Sequence, residues 1–274
     1  MISSLVLSLR EGLEAALIIG IVLGILRKLD RRDLSFLVWA GAISALIISF
    51  MVAFVLNLIG TEFEGAGEQV FEGITMLLAA GILTWMIFWM RTYSISMREE
   101  LELGVRQATS KRRQWALFLL AFLAVLREGI ELALFLLAVR LTSSPVQTVL
   151  GASLGIGGAI LLGWILFATT RRVSLTHFFQ YTNALLIVFA AGLVGIGIHE
   201  FNEAGWVPAI IEHIWDVSFI IPEESTLGQL LRALVGYSSS PSLSQVIAYV
   251  GYWVILGLSL WSNRRPHQLT LSHK

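Results

Sequence analysis

The sequence predicts an all-α integral membrane protein with seven membrane-spanning helices, built as an inverted repeat of three helices plus three, with one extra helix. Three observations predict this fold class. Hydrophobic residues make up 56% of the 274 residues, and the mean hydropathy is +0.78. Seven apolar segments are each long enough to cross a bilayer, which takes about 20 helical residues. A short charged motif occurs twice, in the first and in the fourth segment.

The seven predicted spans form a single membrane domain that covers residues 1–274. The domain divides into a first repeat at 1–92, a second repeat at 112–205, an outer loop at 202–244 and a seventh helix at 245–261. Within the outer loop, leucines at helical spacing predict a short amphipathic helix over Thr226–Val235. The predicted spans are Ser3–Leu26, Leu34–Ile59, Glu68–Met90, Gln114–Val139, Val146–Thr170, Phe178–Phe201 and Gln245–Trp261.

Basic residues predict the orientation of the chain, because loops rich in Lys and Arg stay on the cytoplasmic side. The loops of the opposite side contain only Arg140 and Arg232. We therefore expect the N-terminus outside and the C-terminus inside. Because no basic residue precedes the first span, we expect no cleavable signal peptide. The basic residues of the odd loops and the tail are Arg27, Lys28, Arg31, Arg32, Arg91, Arg98, Arg106, Lys111, Arg112, Arg113, Arg171, Arg172, Arg264, Arg265 and Lys274.

Composition also excludes some functions. The chain has 19 basic and 19 acidic residues, so its net charge is zero and nothing indicates binding to nucleic acid. It contains no cysteine, which rules out disulfide bonds and thiolate metal sites. Any metal ligands must therefore be donors other than thiolates, such as carboxylate oxygens or imidazole nitrogens.

The repeated motif is Arg-Glu-Gly-aliphatic-Glu, at residues 10–14 in the first span and at residues 127–131 in the fourth. Each copy places three charged side chains inside an apolar segment. A charged residue at membrane depth costs at least ~2.5 kcal/mol, so such residues face the helix bundle or a polar cavity and usually serve function. The motif is therefore the first candidate for a functional site.

Helical spacing places both glutamates of each motif on one face, because side chains at i, i+3 and i+4 are neighbours. Each arginine lies beside the second glutamate at i+4, which leaves one surplus carboxylate per motif. Together the motifs would offer four carboxylates, whose oxygens prefer hard cations. Alternatively, each motif only neutralises itself and fixes helix packing. The predicted metal ligands are Glu11, Glu14, Glu128 and Glu131, with Arg10 and Arg127 as partners.

The two motifs lie three spans apart, so the helices that carry them run in opposite directions. Inverted repeats of this kind place a binding site at the repeat interface, near the middle of the membrane. We expect Gly12 and Gly129 to let the two motif helices approach closely. Shorter matches that support the repeat are Gly41-Ala42 with Gly151-Ala152, and Ala79-Ala80-Gly81 with Ala190-Ala191-Gly192.

Acidic residues gather on the side where basic residues are few. Their predicted role is to attract cations, although a solvated surface would show the same composition. His199 and Glu203 share a helix face at i+4, as metal ligands often do. The predicted outer acidic funnel is Glu62, Glu64 and Glu68. The site where the ion enters, or a secondary metal site, is predicted at Glu72, His199, Glu200 and Glu203.

With its paired motifs, the chain resembles the oxidase-dependent iron permeases, the high-affinity iron permease family of fungi and bacteria. The likeness covers nearly the whole chain: seven predicted spans, the motif in spans one and four, and the stretch His-Glu-Phe-Asn-Glu-Ala-Gly from His199 to Gly205 at the end of span six. The doubled motif is the specific part of this likeness, and the span-six stretch supports it.

The resemblance implies a permease of the bacterial inner membrane that moves iron inward, in its ferric form, rather than an enzyme. Iron would be the substrate, bound in passage by the motif glutamates, and no cofactor is implied. An extracytoplasmic iron oxidase or iron-binding protein would be the partner, and a homo-oligomer is compatible with the sequence. The alternatives are a carrier for ferrous iron or manganese, and a membrane di-iron enzyme. The enzyme is disfavoured because such sites use Glu-x-x-His pairs, which neither motif has.

Overall fold

The computed structural model of the chain describes residues 1–93, 103–105, 114–168 and 176–262. Within these ranges the chain is helical, with no strand, and the predicted amphipathic helix in the outer loop is confirmed. The helices are α1 (Ile2–Lys28), α2 (Ser35–Glu62), α3 (Ala66–Tyr93), α4 (Trp115–Thr142), α5 (Pro145–Ala168), α6 (Thr176–Glu203), α7 (Thr226–Val235) and α8 (Leu243–Ser262), with a 3₁₀ turn at Arg32–Leu34.

Each predicted span corresponds to one helix, with ends that differ by a few residues; the predicted end at Thr170 lies outside the described residues. Among the residues that the structure describes, five helices are long and apolar enough to cross a membrane: α2, α3, α5, α6 and α8. Helices α1 and α4 have the length but carry the charged motifs, which interrupt their apolar runs. These five candidate spans are typical of a helical integral membrane protein.

The chain forms two compact units, and α3 and α6 contribute to both. The first consists of Met1–Glu64 and Gly81–Ile187, the second of Gly65–Ala80 and Val188–Lys274. In the first unit α1 packs along α5 and α4, and α4 packs along α2. Part of its apolar core is formed by Ile19, Val22, Leu26, Leu34, Val38, Ala42, Ala45, Val105, Leu117, Ala121 and Val125.

Glycines allow close helix contact in the first unit, and they do so in the same way in both halves of the sequence. A Cβ atom added at Gly151 of α5 would meet the backbone of Met1, just before α1, and of Leu5 in α1. A Cβ added at Gly41 of α2 would meet the backbone of Phe118 and Phe122 in α4. Met1 and Leu5 precede the first motif by the same distances in sequence as Phe118 and Phe122 precede the second.

The motif glycines also contact a neighbouring helix closely, but not the helix that was expected from the sequence. Gly12 and Gly129 were expected to bring α1 and α4 together. Instead, a Cβ at Gly12 would lie 2.7 Å from the Cβ of Ala159 in α5, and one at Gly129 would lie 2.6 Å from the Cβ of Ser49 in α2. Each glycine thus lets its motif helix pack on the neighbouring parallel helix, because the glutamates occupy the face between α1 and α4.

We expect Gly151→Ala to lower the midpoint of thermal unfolding by several degrees, since the new methyl group would overlap the α1 backbone. Gly157→Ala on the same helix is the matched control. Among the described residues, no atom lies within 4 Å of a Cβ added there, and alanine is favoured over glycine in a helix by ~0.5–1 kcal/mol. Equal midpoints for the two variants in detergent would contradict the close contact.

In the second unit, the amino-terminal part of α3 packs on the carboxyl-terminal part of α6 through two glycines. A Cβ at Gly73 would lie 3.0 Å from the carbonyl oxygen of Gly197, and one at Gly197 would lie 3.3 Å from that of Gly73. The end of α6 is tied to the start of α8, because the Asn202 side-chain oxygen accepts hydrogen bonds from Ser242 at 2.8 Å and Ser244 at 2.9 Å. These contacts position the outer loop.

Helix α7 has well-formed ends. At its start the Ser225 side chain accepts a hydrogen bond of 3.0 Å from the backbone N–H of Gly228, which satisfies one of the free amides of the first turn. At its end Gly236 adopts a left-handed conformation with φ of 70°, which glycine adopts without strain. Gly236 also packs directly against Gly192 of α6, so that α7 is held close to α6.

Candidate metal centre

The first motif is buried in the first unit, and its arginine holds both of its glutamates. Arg10 is 0% exposed. Its Nη1 donates to Glu11 Oε1 at 2.9 Å, and its Nη2 lies 3.1 Å from Glu14 Oε1. The predicted pair at i+4 is confirmed, and the contact with the adjacent Glu11 adds to it. One guanidinium thus bridges two carboxylates, as its planar group of donors allows.

The second motif has the same pair at i+4 but a different setting. Arg127 Nε donates to Glu131 Oε1 at 2.9 Å, and the Arg127 side chain is 31% exposed. Its guanidinium carbon lies 5.7 Å from the centre of the Trp85 ring, which is within the range of a cation–π contact. The two motifs are therefore alike in sequence but differ in burial.

Three of the four motif glutamates converge. One carboxylate oxygen from each of Glu11, Glu128 and Glu131 lies within 4.8 Å of the others, and all three residues are buried. We call these three residues the carboxylate cluster. The sequence predicts four ligands in one space, whereas the structure brings three together and leaves Glu14, also buried, beside Arg10.

The cluster has unsatisfied acceptors. In each of its members the oxygen Oε2 has no hydrogen-bond partner among the residues that the structure describes. A buried acceptor without a partner costs ~1–3 kcal/mol, and more if it is charged. The two motifs together hold four carboxylates and two guanidinium groups, so negative charge is in excess. A cation bound among the three carboxylates would satisfy the free oxygens and reduce the repulsion between them.

Two residues at this site were missed by sequence reasoning. Met86 Sδ accepts a hydrogen bond of 3.1 Å from Arg10 Nη1, and Trp85 lies beside Arg127. Both belong to α3, which therefore contacts both arginines. A tryptophan near the end of a span usually serves as an interfacial anchor, so nothing in the sequence distinguishes Trp85 from such an anchor. Nothing in the sequence distinguishes Met86 from an ordinary apolar residue.

The remaining predicted residues lie elsewhere. Glu62, Glu64 and Glu68 are exposed, as a funnel or a solvated surface would be. In the second unit, His199 Nε2 lies 3.2 Å from Glu203 Oε1, and Gln69 Nε2 donates to Glu203 Oε2 at 3.1 Å.

Glu200, in the same part of the second unit, is 8% exposed. It lies within electrostatic range of Glu72, Glu203 and Arg232. The second unit thus has its own group of ionisable side chains, and His199 pairs with Glu203 as their spacing predicts.

Charged side chains buried among apolar helices, with a carboxylate cluster able to take a cation, define a class: membrane proteins that move ions. Comparison with known proteins specifies the class further. The family model described as "Iron permease FTR1 family" matches residues 1–261. The chain therefore belongs to this family of iron permeases and is an integral, multi-pass membrane protein whose function is iron transport.

Bacterial iron permeases are among the similar proteins. The chain is 35% identical over 248 residues to the proteins named "Ferrous iron permease EfeU" of Escherichia coli O6:K15:H31 (strain 536 / UPEC) and of Shigella sonnei (strain Ss046), covering 90% of each chain. It is 34% identical over 247 residues to the protein of the same name from Yersinia pestis, covering 89% of this chain and 88% of the relative. No solved structure matches the chain.

Proposed function

We propose that the chain carries iron inward across the membrane, and that the ion passes through the carboxylate cluster of Glu11, Glu128 and Glu131, with Glu14 as a further ligand. The observation that carries this proposal is the set of unpartnered, buried oxygens in three converging carboxylates. Carboxylate oxygens suit hard cations. The ion would exchange its water shell for these oxygens, while Arg10 and Arg127 hold the carboxylates in place when the ion is absent.

We further propose that α1 and α4 cross the membrane as well, which gives seven spans in an inverted repeat of three plus three. The matched glycine contacts support this arrangement, because Gly41 and Gly151 meet equivalent backbone positions in the two halves. In an inverted repeat the two motif helices meet at the repeat interface, where transport proteins of this kind bind their substrate. Such a location suits the carboxylate cluster, which takes residues from both motifs.

A separate proposal concerns the oxidation state of the transported iron. The resemblance seen in the sequence predicts ferric iron, whereas the similar bacterial proteins are named as ferrous iron permeases. We propose that ferrous iron is the form carried, since these relatives cover about nine tenths of the chain. An extracytoplasmic iron-binding protein remains the proposed partner, whereas an iron oxidase would supply ferric iron and belongs to the ferric alternative.

Uptake into proteoliposomes that contain the purified protein tests this function. Ferrous iron kept reduced, ferric iron as a soluble chelate, and manganese are compared at equal concentration, with protein-free vesicles as the control. We expect ferrous iron to accumulate fastest. Faster uptake of ferric iron would restore the ferric prediction. Oxidation of ferrous iron without uptake would favour the di-iron enzyme over a permease.

The orientation can be tested because the chain has no cysteine, so single cysteines can be introduced at exposed positions. With the N-terminus outside, Ser144→Cys and Glu224→Cys should react with a membrane-impermeant thiol reagent added to whole cells, and Asp33→Cys should not. All three positions are exposed in the structure, so burial does not limit the reaction. Labelling of Asp33→Cys in intact cells would contradict the proposed orientation.

For the exposed acids we propose a role in attracting the cation, and for Glu72, His199, Glu200 and Glu203 a role in its passage toward the cluster. Replacing Glu62, Glu64 and Glu68 together by glutamine should raise KM for iron several-fold and weaken its dependence on salt, with little change in kcat, because the acids act through a long-range field. Asp33→Asn is the control, as an exposed acid predicted on the opposite side. An unchanged KM in the triple variant would contradict this role and identify the three residues as solvated surface.

A further inference from the structure

The segment that follows α6 exposes a series of large apolar side chains. It covers residues 206–220 and contains no lysine or arginine. Single exposed apolar residues are ordinary, but a set of them close together marks a surface that contacts a membrane or another protein. The exposed apolar side chains of this segment are Trp206, Ile210, Ile211, Ile214, Trp215, Phe219 and Ile220.

Polar side chains of the same segment have a different environment. Glu212 and His213 line a cavity of ≈ 320 Å³ in the second unit, together with Asn202 and Gln245. The segment therefore has a polar side at the cavity and an apolar side that lies outside the cavity lining. The apolar residues around Glu212 and His213 are Ile210, Ile211, Ile214 and Trp215, which we call the loop patch.

Backbone hydrogen bonds fix the loop patch beside the start of α8. The Leu243 N–H donates to the Ile211 carbonyl at 3.0 Å, and the Ile214 N–H donates to the Pro241 carbonyl at 3.1 Å. Two residues of the patch are thus held at the level of the first residue of α8 and of the residues just before it. The depth of the patch in the membrane follows from the depth of this helix end.

The length of α8 sets that depth. The helix has 20 residues, which gives about 30 Å at 1.5 Å per residue, equal to the thickness of the hydrocarbon core. Such a helix only just crosses the core, so Leu243 lies at the boundary between hydrocarbon and headgroups. Pro241 lies at most ~7 Å further out, which is still within the headgroup layer. Ile211 and Ile214 lie at the same depth as their backbone partners.

The exposed apolar surface of α8 begins one helical turn from the loop patch. In a membrane this surface contacts lipid, and the patch extends the apolar surface outward to the headgroups. Tryptophan is enriched at this depth, and isoleucine side chains gain free energy by leaving water. A water-soluble partner would have to displace headgroups to reach the patch, so lipid is the favoured occupant. The exposed apolar side chains of α8 are Ile247, Val250, Trp253, Val254, Ile255, Leu258 and Trp261.

We propose that the loop patch inserts into the headgroup layer of the bilayer beside α8 and anchors the segment after α6 to the membrane surface. Apolar area drives this insertion, because the segment has no lysine or arginine to attract anionic lipid. The anchor holds Glu212 and His213 in place at the cavity. The inference rests on α8 crossing the membrane and does not depend on which ion is carried.

Spin labels on single introduced cysteines test this anchor, since the chain has no cysteine of its own. The labelled full-length protein is placed in phosphatidylcholine vesicles. Power saturation then measures how often a label meets oxygen, which concentrates in lipid, and a nickel chelate, which stays in water. We expect Ile211→Cys and Ile214→Cys to give an oxygen-to-chelate ratio several-fold above that of Glu224→Cys, an exposed control in the same loop. Val254→Cys, exposed in the middle of α8, should give the highest ratio.

Frequent contact of both patch labels with the chelate, as at Glu224→Cys, would place the patch in water and overturn the proposal. Low contact with both reagents would show that a second copy of the chain covers the patch, and would also overturn it. A low ratio at Val254→Cys would overturn its premise, the crossing of the membrane by α8. Insertion that requires added phosphatidylglycerol would contradict the apolar basis.

A common elution volume in size exclusion establishes that the labelled variants are folded. Trp215→Cys replaces a patch variant that fails this control, because its side chain belongs to the same patch and is 45% exposed.

Discussion

Glu128→Gln is expected to reduce iron uptake by roughly 10- to 100-fold or more, since a contact to a charged group is worth ~1.5–3 kcal/mol. Glutamine keeps the shape of the side chain and its capacity for hydrogen bonds but removes the charge that attracts a cation. Glu128 belongs to the carboxylate cluster and is 5% exposed. Initial rates of uptake into proteoliposomes, at equal protein content, provide the measurement.

The same substitution should not destabilise the protein. Glu128 lies within 4.8 Å of Glu11 and Glu131, so removing its charge removes repulsion in the metal-free state, and the midpoint of thermal unfolding should stay equal or rise. Glu224→Gln, at an exposed position of the outer loop, is the matched control and should keep full uptake. Uptake by Glu128→Gln at the rate of the control would contradict the role of the cluster.

Arg10→Lys is expected to have the second largest effect, with both lower uptake and a lower midpoint of unfolding. Arg10 is fully buried and holds Glu11, Glu14 and Met86 through two nitrogen atoms. A lysine ammonium is a single point of charge and cannot span these partners as a planar guanidinium does. The cluster would then lose the positioning of Glu11 together with a buried ion pair.

Arg127→Lys is the matched variant for this prediction. Arg127 is less enclosed than Arg10, with 31% of its side chain exposed, so fewer neighbouring groups depend on its planar shape and the cost should be smaller in both measurements. Uptake and thermal unfolding of the two variants are compared in parallel. A larger loss for Arg127→Lys than for Arg10→Lys would contradict the assignment of Arg10 as the main support of the cluster.

The helices could be predicted from sequence because long apolar runs and helical spacing are local properties. Thr226–Val235 was predicted with its observed bounds, since its leucines follow the helical period. The ion pairs at i+4 were predictable for the same reason, because helix geometry alone brings Arg10 beside Glu14 and Arg127 beside Glu131.

The difference between the two motifs could not be predicted, because it depends on neighbouring helices. Arg10 is enclosed and contacts Met86, whereas Arg127 is partly exposed beside Trp85. Which carboxylates converge is likewise a tertiary property, and Glu14 stays with Arg10 although its spacing equals that of Glu131. The partners of the motif glycines also depend on tertiary packing, since spacing does not say which neighbouring helix a glycine meets.

The irregular loop that follows α6 shows the same limit. His199 and Glu203 could be paired from their spacing on α6. Glu212, His213 and Gln245 line the same cavity as this pair, which follows only from the course of the loop and its contacts with α8, such as the hydrogen bond from the Leu243 N–H to the Ile211 carbonyl at 3.0 Å. No periodic pattern in the sequence encodes these contacts.

Iron uptake by the Arg10→Met/Glu14→Leu variant distinguishes the two roles that the first motif could have. Two accounts explain a buried Arg–Glu pair: it positions and balances the carboxylates that bind iron, or it only neutralises itself and fixes helix packing. Replacing a self-neutralising buried pair by apolar residues of similar size is often neutral or stabilising, and in that case the variant would transport iron normally. If the motif binds iron, the variant protein is folded and monodisperse in detergent, but its iron uptake stays near that of protein-free vesicles. Uptake at the wild-type rate by this variant would contradict that role.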